Sequence, residues 1–223
     1  GIRSPGRTID DYISFIDFAP TFLELAQVKL SKSGMQPITG KSFAEIFRSE
    51  KQGRVINSRD YALIGRERND LGRPNDCGYP VRGIVMNDFL YLHNFEPSRW
   101  PGGNPETGYL DCDSSPTKTE VLKSRKIPEQ KIYWQLSFGK RKQEELYYLK
   151  TDSDCIVNLI GDPKYENERE KMKRFMFGKL KKEGDPRILG QGEIFDRYPF
   201  ANPAVTNFYE RFMKGERLKG WTK

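Results

Sequence analysis

The sequence predicts an α+β fold, with a hairpin-based antiparallel sheet followed by one long helix. Three observations carry this. Two strand-like runs, Val81-Arg82-Gly83-Ile84-Val85-Met86 and Phe89-Leu90-Tyr91-Leu92-His93-Asn94-Phe95, flank the turn signal Asn87-Asp88. A further run, Glu144-Glu145-Leu146-Tyr147-Tyr148-Leu149, reads as a strand ended by Thr151-Asp152-Ser153-Asp154. Met172, Phe175, Met176 and Leu180 then recur every three to four residues, the stripe of an amphipathic helix. Strands and helices fall in separate runs rather than alternating, which argues against an α/β fold.

In chain order, residues 1–10 are polar and turn-rich. Ile13, Ile16 and Phe18, then Phe22, Leu23 and Leu25, predict a lead-in and a helix over 19–27, with Asp17 or Phe18 at its cap. Pro20 fits only in a first turn, where its missing N–H costs nothing. A loop over 31–40 leads to a short amphipathic helix over 41–47 through Phe43, Ile46 and Phe47. Tyr61-Ala62-Leu63-Ile64 reads as a strand. The segment 96–118 is long, irregular and rich in Pro and Gly, and Trp100 and Tyr109 are expected to pin it. Asp111-Cys112-Asp113 lacks the continuation a calcium loop needs and reads as a structural turn. Residues 121–135 show a mixed pattern. Gly184-Asp185-Pro186 stops the long helix over 164–183. The tail from 187 to 223, carrying Phe195, Tyr198, Phe200, Phe208, Tyr209, Phe212 and Trp221, is expected to wrap the body through its aromatic residues.

A chain of 223 residues makes one large domain or two small ones. Hydrophobic residues at 36% and aromatics at 13% suffice for a core. The net charge of +7 favours an anionic partner: nucleic acid, a membrane surface or an acidic polysaccharide. The basic residues are dispersed and no nucleic-acid-binding motif is present, so no nucleic acid is expected as partner. No apolar run reaches the roughly 20 residues that cross a bilayer, so no membrane partner is expected. No leader peptide is visible, but Gly1 reads as a processed end or chain boundary, which leaves the compartment open. Cys77, Cys112 and Cys155 show no CxxC spacing and do not read as a zinc site. One disulfide with a free thiol, or three buried thiols, both fit. His93, the single histidine, alternates with aromatics on a strand and reads as structural.

The stretch between the first two strands draws most functional interest. Residues 65–82 carry Arg66, Arg68, Arg73 and Arg82 among carboxylates, amides, Gly and Pro. Guanidiniums this close repel unless an anion or local carboxylates sit among them. The loop could bind carboxylate, phosphate or sulfate, since Arg presents a planar fork to their oxygens. A solvated loop with internally paired charges fits the spacing equally.

Four segments together resemble the C-terminal portion of sulfatases, in the alkaline-phosphatase superfamily. They are Ser14-Phe15-Ile16-Asp17-Phe18-Ala19-Pro20-Thr21-Phe22-Leu23-Glu24-Leu25-Ala26 with Gly40-Lys41-Ser42-Phe43; the Gly65 loop with Gly78-Tyr79-Pro80-Val81-Arg82; Asn94-Phe95-Glu96-Pro97-Ser98-Arg99-Trp100-Pro101 with Ser115-Pro116-Thr117-Lys118; and Lys140-Arg141-Lys142-Gln143-Glu144-Glu145-Leu146-Tyr147 with Asn158-Leu159. The second and third are similar to the heparan N-sulfatase (sulfamidase, N-sulfoglucosamine sulfohydrolase) branch. The resemblance implies that residues 1–78 are the last elements of an alkaline-phosphatase-like catalytic domain. Residues 79–223 would be the C-terminal subdomain, a sheet of about four antiparallel strands packed by a long helix.

The resemblance further implies hydrolysis of sulfate esters or sulfamates of a sulfated glycan, N-sulfoglucosamine of heparan type above all. The family uses calcium and a formylglycine made from Cys or Ser in a C/S-x-P-x-R motif. No such motif occurs here: Cys77 precedes Gly-Tyr-Pro, Cys112 precedes Asp-Ser-Ser, and Cys155 precedes Ile-Val-Asn. One histidine also falls short of the family's charge-stabilising centre. The chain is therefore expected to lack nucleophile and metal site, with a catalytic domain N-terminal to it as partner. Substrate contacts would fall to Arg66, Glu67, Arg68, Asn69 and Arg82, with Arg82 the foremost sulfate contact and Glu67 accepting from a sugar hydroxyl or amine. Related sequences carry His at Asn69, and Asn cannot become a cation. The family is periplasmic, secreted or lysosomal. A non-catalytic module that binds anionic glycan, or a structural one, is the alternative. Phe15, Phe18, Phe22 and Leu25 would face the absent domain and promote self-association.

Overall fold

The computed structural model describes residues 1–218. Trp221, assigned above to the wrapping tail, lies outside the described residues. Two compact units form, Gly1–Ile64 with Ile84–Asp88, and Gly65–Gly83 with the described residues from Phe89 on. The arginine-rich stretch before Tyr79 falls in the second unit.

In the first unit a 3-10 turn, Phe15–Asp17, runs into helix α1, Phe18–Leu25, close to the expected 19–27. Pro20 sits in the first turn, as its missing N–H requires. The Asp17 carboxylate is a hub, accepting from Ser14 N at 3.1 Å, Lys41 N at 2.8 Å and the Arg59 guanidinium at 2.8 Å. Burial alone would raise the Asp17 pKa, but these donors outweigh it and hold it low. Gly40 is needed where a Cβ would lie 1.9 Å from Ile16 O. Helix α2, Ala44–Arg48, carries Ile46 into a small core with Phe43 and Val55, and Phe18 meets Phe43 edge-on at 5.3 Å.

Strands β1 (Tyr61–Arg66), β2 (Val81–Met86), β3 (Phe89–Asn94) and, later, β4 form one antiparallel sheet in sequence order. The β2–β3 hairpin closes on Asn87 (φ 50°) and Asp88 (φ 62°), both left-handed, the backbone of a two-residue primed turn. Residues 121–135, mixed in sequence, run from the end of helix α3, Pro116–Ser124, through a 3-10 turn, Pro128–Gln130, into helix α4, Lys131–Phe138. Ser115 caps α3 by accepting from Lys118 N, with Pro116 at the first position. The irregular segment before α3 is pinned as expected. Trp100 lies edge-on to Tyr109 at 6.2 Å, and Tyr109 packs on Phe138 at 4.6 Å.

Strand β4, Glu144–Tyr148, pairs with β3, setting Leu90 opposite Tyr147, Leu92 opposite Glu145 and His93 opposite Glu144. Helix α5, Glu166–Lys182, packs on one face of this pair and buries Met172, Met176 and Leu180, the expected stripe. His93 is structural, buried edge-on to Phe177 at 5.2 Å and beside Phe95 at 4.7 Å. Tyr91 donates to Glu144 at 3.0 Å, and Lys173 pairs with the same carboxylate at 2.6 Å. The tail wraps back within this unit through short helices α6, Ile194–Arg197, and α7, Phe208–Met213. Phe208 is buried against Leu71 and Leu110. The three thiols are free, with Cys112 exposed and the other two half-buried, so neither the disulfide nor the three buried thiols is found.

Candidate functional site

Residues 65–82 resolve into two kinds of arginine. Arg82, the foremost sulfate contact expected from the resemblance, is 6% exposed. Its Nε and Nη2 fork onto Asp185 at 2.6 and 3.1 Å, and Nη2 also reaches Glu67 at 2.6 Å. Nη1 donates to the carbonyls of Val81 at 3.0 Å and Arg66 at 3.3 Å. Glu67 in turn pairs with Arg187 at 2.6 Å. Two guanidiniums and two carboxylates thus neutralise each other in a half-buried square. Burial would lower the Arg82 pKa and raise that of Asp185, but their bidentate pairing reverses both shifts. The N–H donors of Arg82 are committed within the chain. Glu67 is engaged in the same way.

Arg73, not among the expected site residues, is 1% exposed and donates to Trp100 O at 2.8 Å, Pro101 O at 3.0 Å and the Asp111 carboxylate. That engagement gives Asp111 its structural turn. Arg68 donates to Tyr198 O at 2.6 Å and lies over the Phe200 ring, tying the loop to the tail. Asn69 is exposed and reaches Asp111 O at 3.3 Å. For Arg82 and Arg73 the internally paired reading of this stretch holds.

Arg66 is different. Its Nη2 donates to Pro101 O at 2.9 Å and its guanidinium lies 5.5 Å over the Tyr79 ring. No ion pair involves it among the described residues. Burial, with Arg73 nearby, pushes its pKa down, while Asp111 pulls the other way. Arg66 lines a pocket of about 480 Å³ on the sheet face away from α5. The face follows from register: Leu90, Leu92 and Asn94 of β3 alternate with Tyr91 and His93, and Glu145 and Tyr147 lie beside them on β4. Helix α4 supplies Leu136, Ser137 and Phe138 to the rim, and Arg141 follows it.

Polar groups converge in this pocket. Glu145 is 4% exposed and accepts from Asn94 Nδ2 at 2.7 Å and the Tyr147 hydroxyl at 2.5 Å, with Arg141 at 3.9 Å. Tyr79 is 1% exposed, and its hydroxyl has no hydrogen-bond partner among the described residues. Burial first, then Glu145, pushes the Tyr79 hydroxyl up to about 12, so it keeps its proton. The pocket volume falls within the range of about 300–1,000 Å³ typical of small-molecule sites. Sequence reasoning placed Arg66 at the site but missed Tyr79, Arg141, Glu145 and Tyr147. The two-residue alternation of β4 was the signal that could have put Glu145 and Tyr147 on one face.

Calcium and formylglycine find no matching donor set among the described residues. Among the described residues no three His, Cys, Asp or Glu side chains converge to hold a metal ion. No cysteine or serine stands in a C/S-x-P-x-R motif either. The residues present fit neither group.

In sequence the chain is similar to sulfatases. One relative, an ulvan-active sulfatase of Formosa agariphila, is 27% identical over 192 residues, 83% of this chain and 28% of that protein. A second ulvan-active sulfatase of the same organism is 25% identical over 198 residues, 86% of this chain and 33% of that protein. The chain therefore spans a third or less of the length of these relatives. Among solved structures, a protein in complex with its substrate D-glucosamine-2-N,6-O-disulfate aligns with TM-score 0.45 and 18% identity, over 76% of this chain and 24% of its own. No protein-family model matches the chain.

Proposed function

We propose that this chain is the C-terminal portion of a sulfatase acting on a sulfated glycan. In this reading it supplies substrate-pocket residues, while the nucleophile and metal site belong to a catalytic domain N-terminal to it. Calcium and formylglycine would be held there, and the whole protein would work in a periplasmic, secreted or lysosomal compartment. The observation that carries the reading is similarity to sulfatases over 83% and 86% of the chain. Arg66, free of ion pairs at the pocket, is the residue best disposed to meet an anionic group, with exposed Asn69 near it in sequence. Arg82 and Glu67 support the loop from within.

N-sulfoglucosamine of heparan type is the first candidate substrate, on the Gly65 and Asn94 segments described above. Ulvan is the second, favoured by the names of the two curated relatives. Calorimetry against N-sulfoglucosamine, heparan oligosaccharides and ulvan oligosaccharides, at low and moderate salt, tests the reading. Binding to one of them that survives moderate salt and is lost in Arg66→Ala is the expected result. No binding, or binding abolished by salt alone, would overturn it and leave the +7 charge as a general bias.

A further inference from the structure

We infer that the pocket opposite α5 seats one acidic sugar residue: Arg66 and the Tyr79 hydroxyl meet its anionic group, and Glu145 accepts from its hydroxyls. The inference rests on the proposal that the chain binds an anionic glycan, and gives that ligand a seat. Four observations carry it.

First, Arg66 lines the pocket without an ion pair among the described residues, so a guanidinium fork is available to one anionic group. Second, the Tyr79 hydroxyl is buried without a partner among the described residues, though buried polar groups are nearly always paired. The Arg66 guanidinium lies 5.5 Å over the Tyr79 ring and both residues line the pocket, so an anion drawn to Arg66 is brought to the side of the pocket that holds Tyr79. Third, besides Arg66 and Arg141 the pocket is lined by Glu145, Asp154 and Asp111, the last paired with Arg73. That balance suits one negative charge on a body of hydroxyl groups and disfavours a polyphosphate, which Glu145 and Asp154 would repel. Fourth, Leu90, Leu92, Phe138 and Tyr147 provide apolar surface for a ring. The shared chemistry is an oxyanion on a polyol. A uronate carboxylate and an N- or O-sulfate both provide it.

The test titrates the 223-residue chain with glucuronate, N-sulfoglucosamine, glucose and inorganic sulfate, for wild type, Tyr79→Phe, Arg66→Ala and Arg141→Gln. Amide shifts around Asn94, Glu145 and Tyr147 serve as the map. The expected result is binding of one or both acidic sugars with shifts at those amides, and little binding of glucose. Tyr79→Phe should weaken this by about tenfold or more, as losing one hydrogen bond to a charged group does. Its melting temperature should hold or rise, because the hydroxyl has no partner among the described residues to lose. The tighter of the two acidic sugars identifies the anion. Glycan binding that Tyr79→Phe and Arg66→Ala leave unchanged, or that maps elsewhere, would overturn the pocket and leave the sulfatase reading standing. Inorganic sulfate binding as tightly as the sugars would overturn the sugar seat. Failure of every acidic sugar and oligosaccharide to bind would overturn both readings together.

Discussion

At the residue scale, the arginines of residues 65–82 show how burial decides a role that spacing leaves open. Arg82 is flanked by motif residues, yet its partner Asp185, and Arg187, which shares its partner Glu67, lie about 100 positions further on. Nothing local in the sequence could place them, so the pairing that occupies the Arg82 guanidinium is a tertiary fact. Removing one member of a buried ion-pair set strands the others, at a cost of about 3–5 kcal/mol. Arg82→Ala should therefore lower the denaturant midpoint sharply, whereas Arg66→Ala, which breaks no ion pair, should leave it nearly unchanged. Equal midpoints for the two variants would refute the structural role of Arg82. The buried titrating groups add a pH dependence. Burial first, then Lys173, depresses the His93 pKa, with Glu144 opposing. The Asp185 and Asp17 carboxyls are also depressed, their hydrogen bonds overcoming burial. A depressed folded-state value means that the unfolded chain binds the proton more readily. Stability from each group is then full above its unfolded value and is lost as pH falls. The histidine contribution should fade below about pH 6.5 and the carboxylate contributions below about pH 4. Urea unfolding at stepped pH should show the first phase in wild type and not in His93→Phe. A midpoint that rises as pH falls through this window would have the wrong sign.

At the element scale, the hairpin and α5 were legible because each obeys a single period. Asn87-Asp88 supplies two residues tolerant of positive φ, and the flanking runs alternate. Helix α5 shows its stripe so plainly that Met172 and Met176 could be named as core from sequence, and both are fully buried. Met176→Ala should cost about 2–5 kcal/mol, the usual range for emptying a buried site. Phe175→Ala, on the less buried flank, should cost less. Helices α3 and α4 were not legible. Their apolar residues are mixed with Lys and with aromatic and β-branched side chains, and each is only two turns long. The pocket was illegible for the same reason. It needs α4 and the loop before α3 folded back over the sheet, and only Arg66 and the β4 alternation hinted at it. Gly78 is another element-scale constraint, since a Cβ there would lie 2.5 Å from the Glu67 carbonyl. That oxygen also accepts from Tyr79 N at 2.9 Å. Gly78→Ala should therefore disturb both the Glu67 pairing and the Tyr79 ring, and lower the melting temperature more than Gly161→Ala, where the space is open.

At the scale of the whole molecule, the balance between charge and exposed apolar surface sets behaviour in solution. Sequence reasoning expected Phe15, Phe18, Phe22 and Leu25 to lie on an uncovered face. Phe15 is 90% exposed, Phe22 61% and Leu25 45%, joined by Ile16 at 57%. Phe18 departs from the set because its ring turns inward to Phe43 and becomes part of the first unit's core. Large apolar side chains clustered this way on a surface favour association, since each buried Phe or Leu gains roughly 1.5–3 kcal/mol. Opposing this is the net charge of +7, whose repulsion between copies is strongest at low ionic strength. The two forces respond oppositely to salt. Sedimentation velocity should show self-association that grows with concentration and strengthens as salt is added. The double variant Phe15→Ser, Phe22→Ser removes two exposed rings that edge Phe18, so it should melt slightly below the wild type, still cooperatively, and sediment as a monomer. Association that weakens with salt would instead mark an electrostatic contact, and association that persists in the double variant would place the interface on another face. A wild-type chain that stays monomeric at every concentration would show that these rings alone do not suffice to drive association.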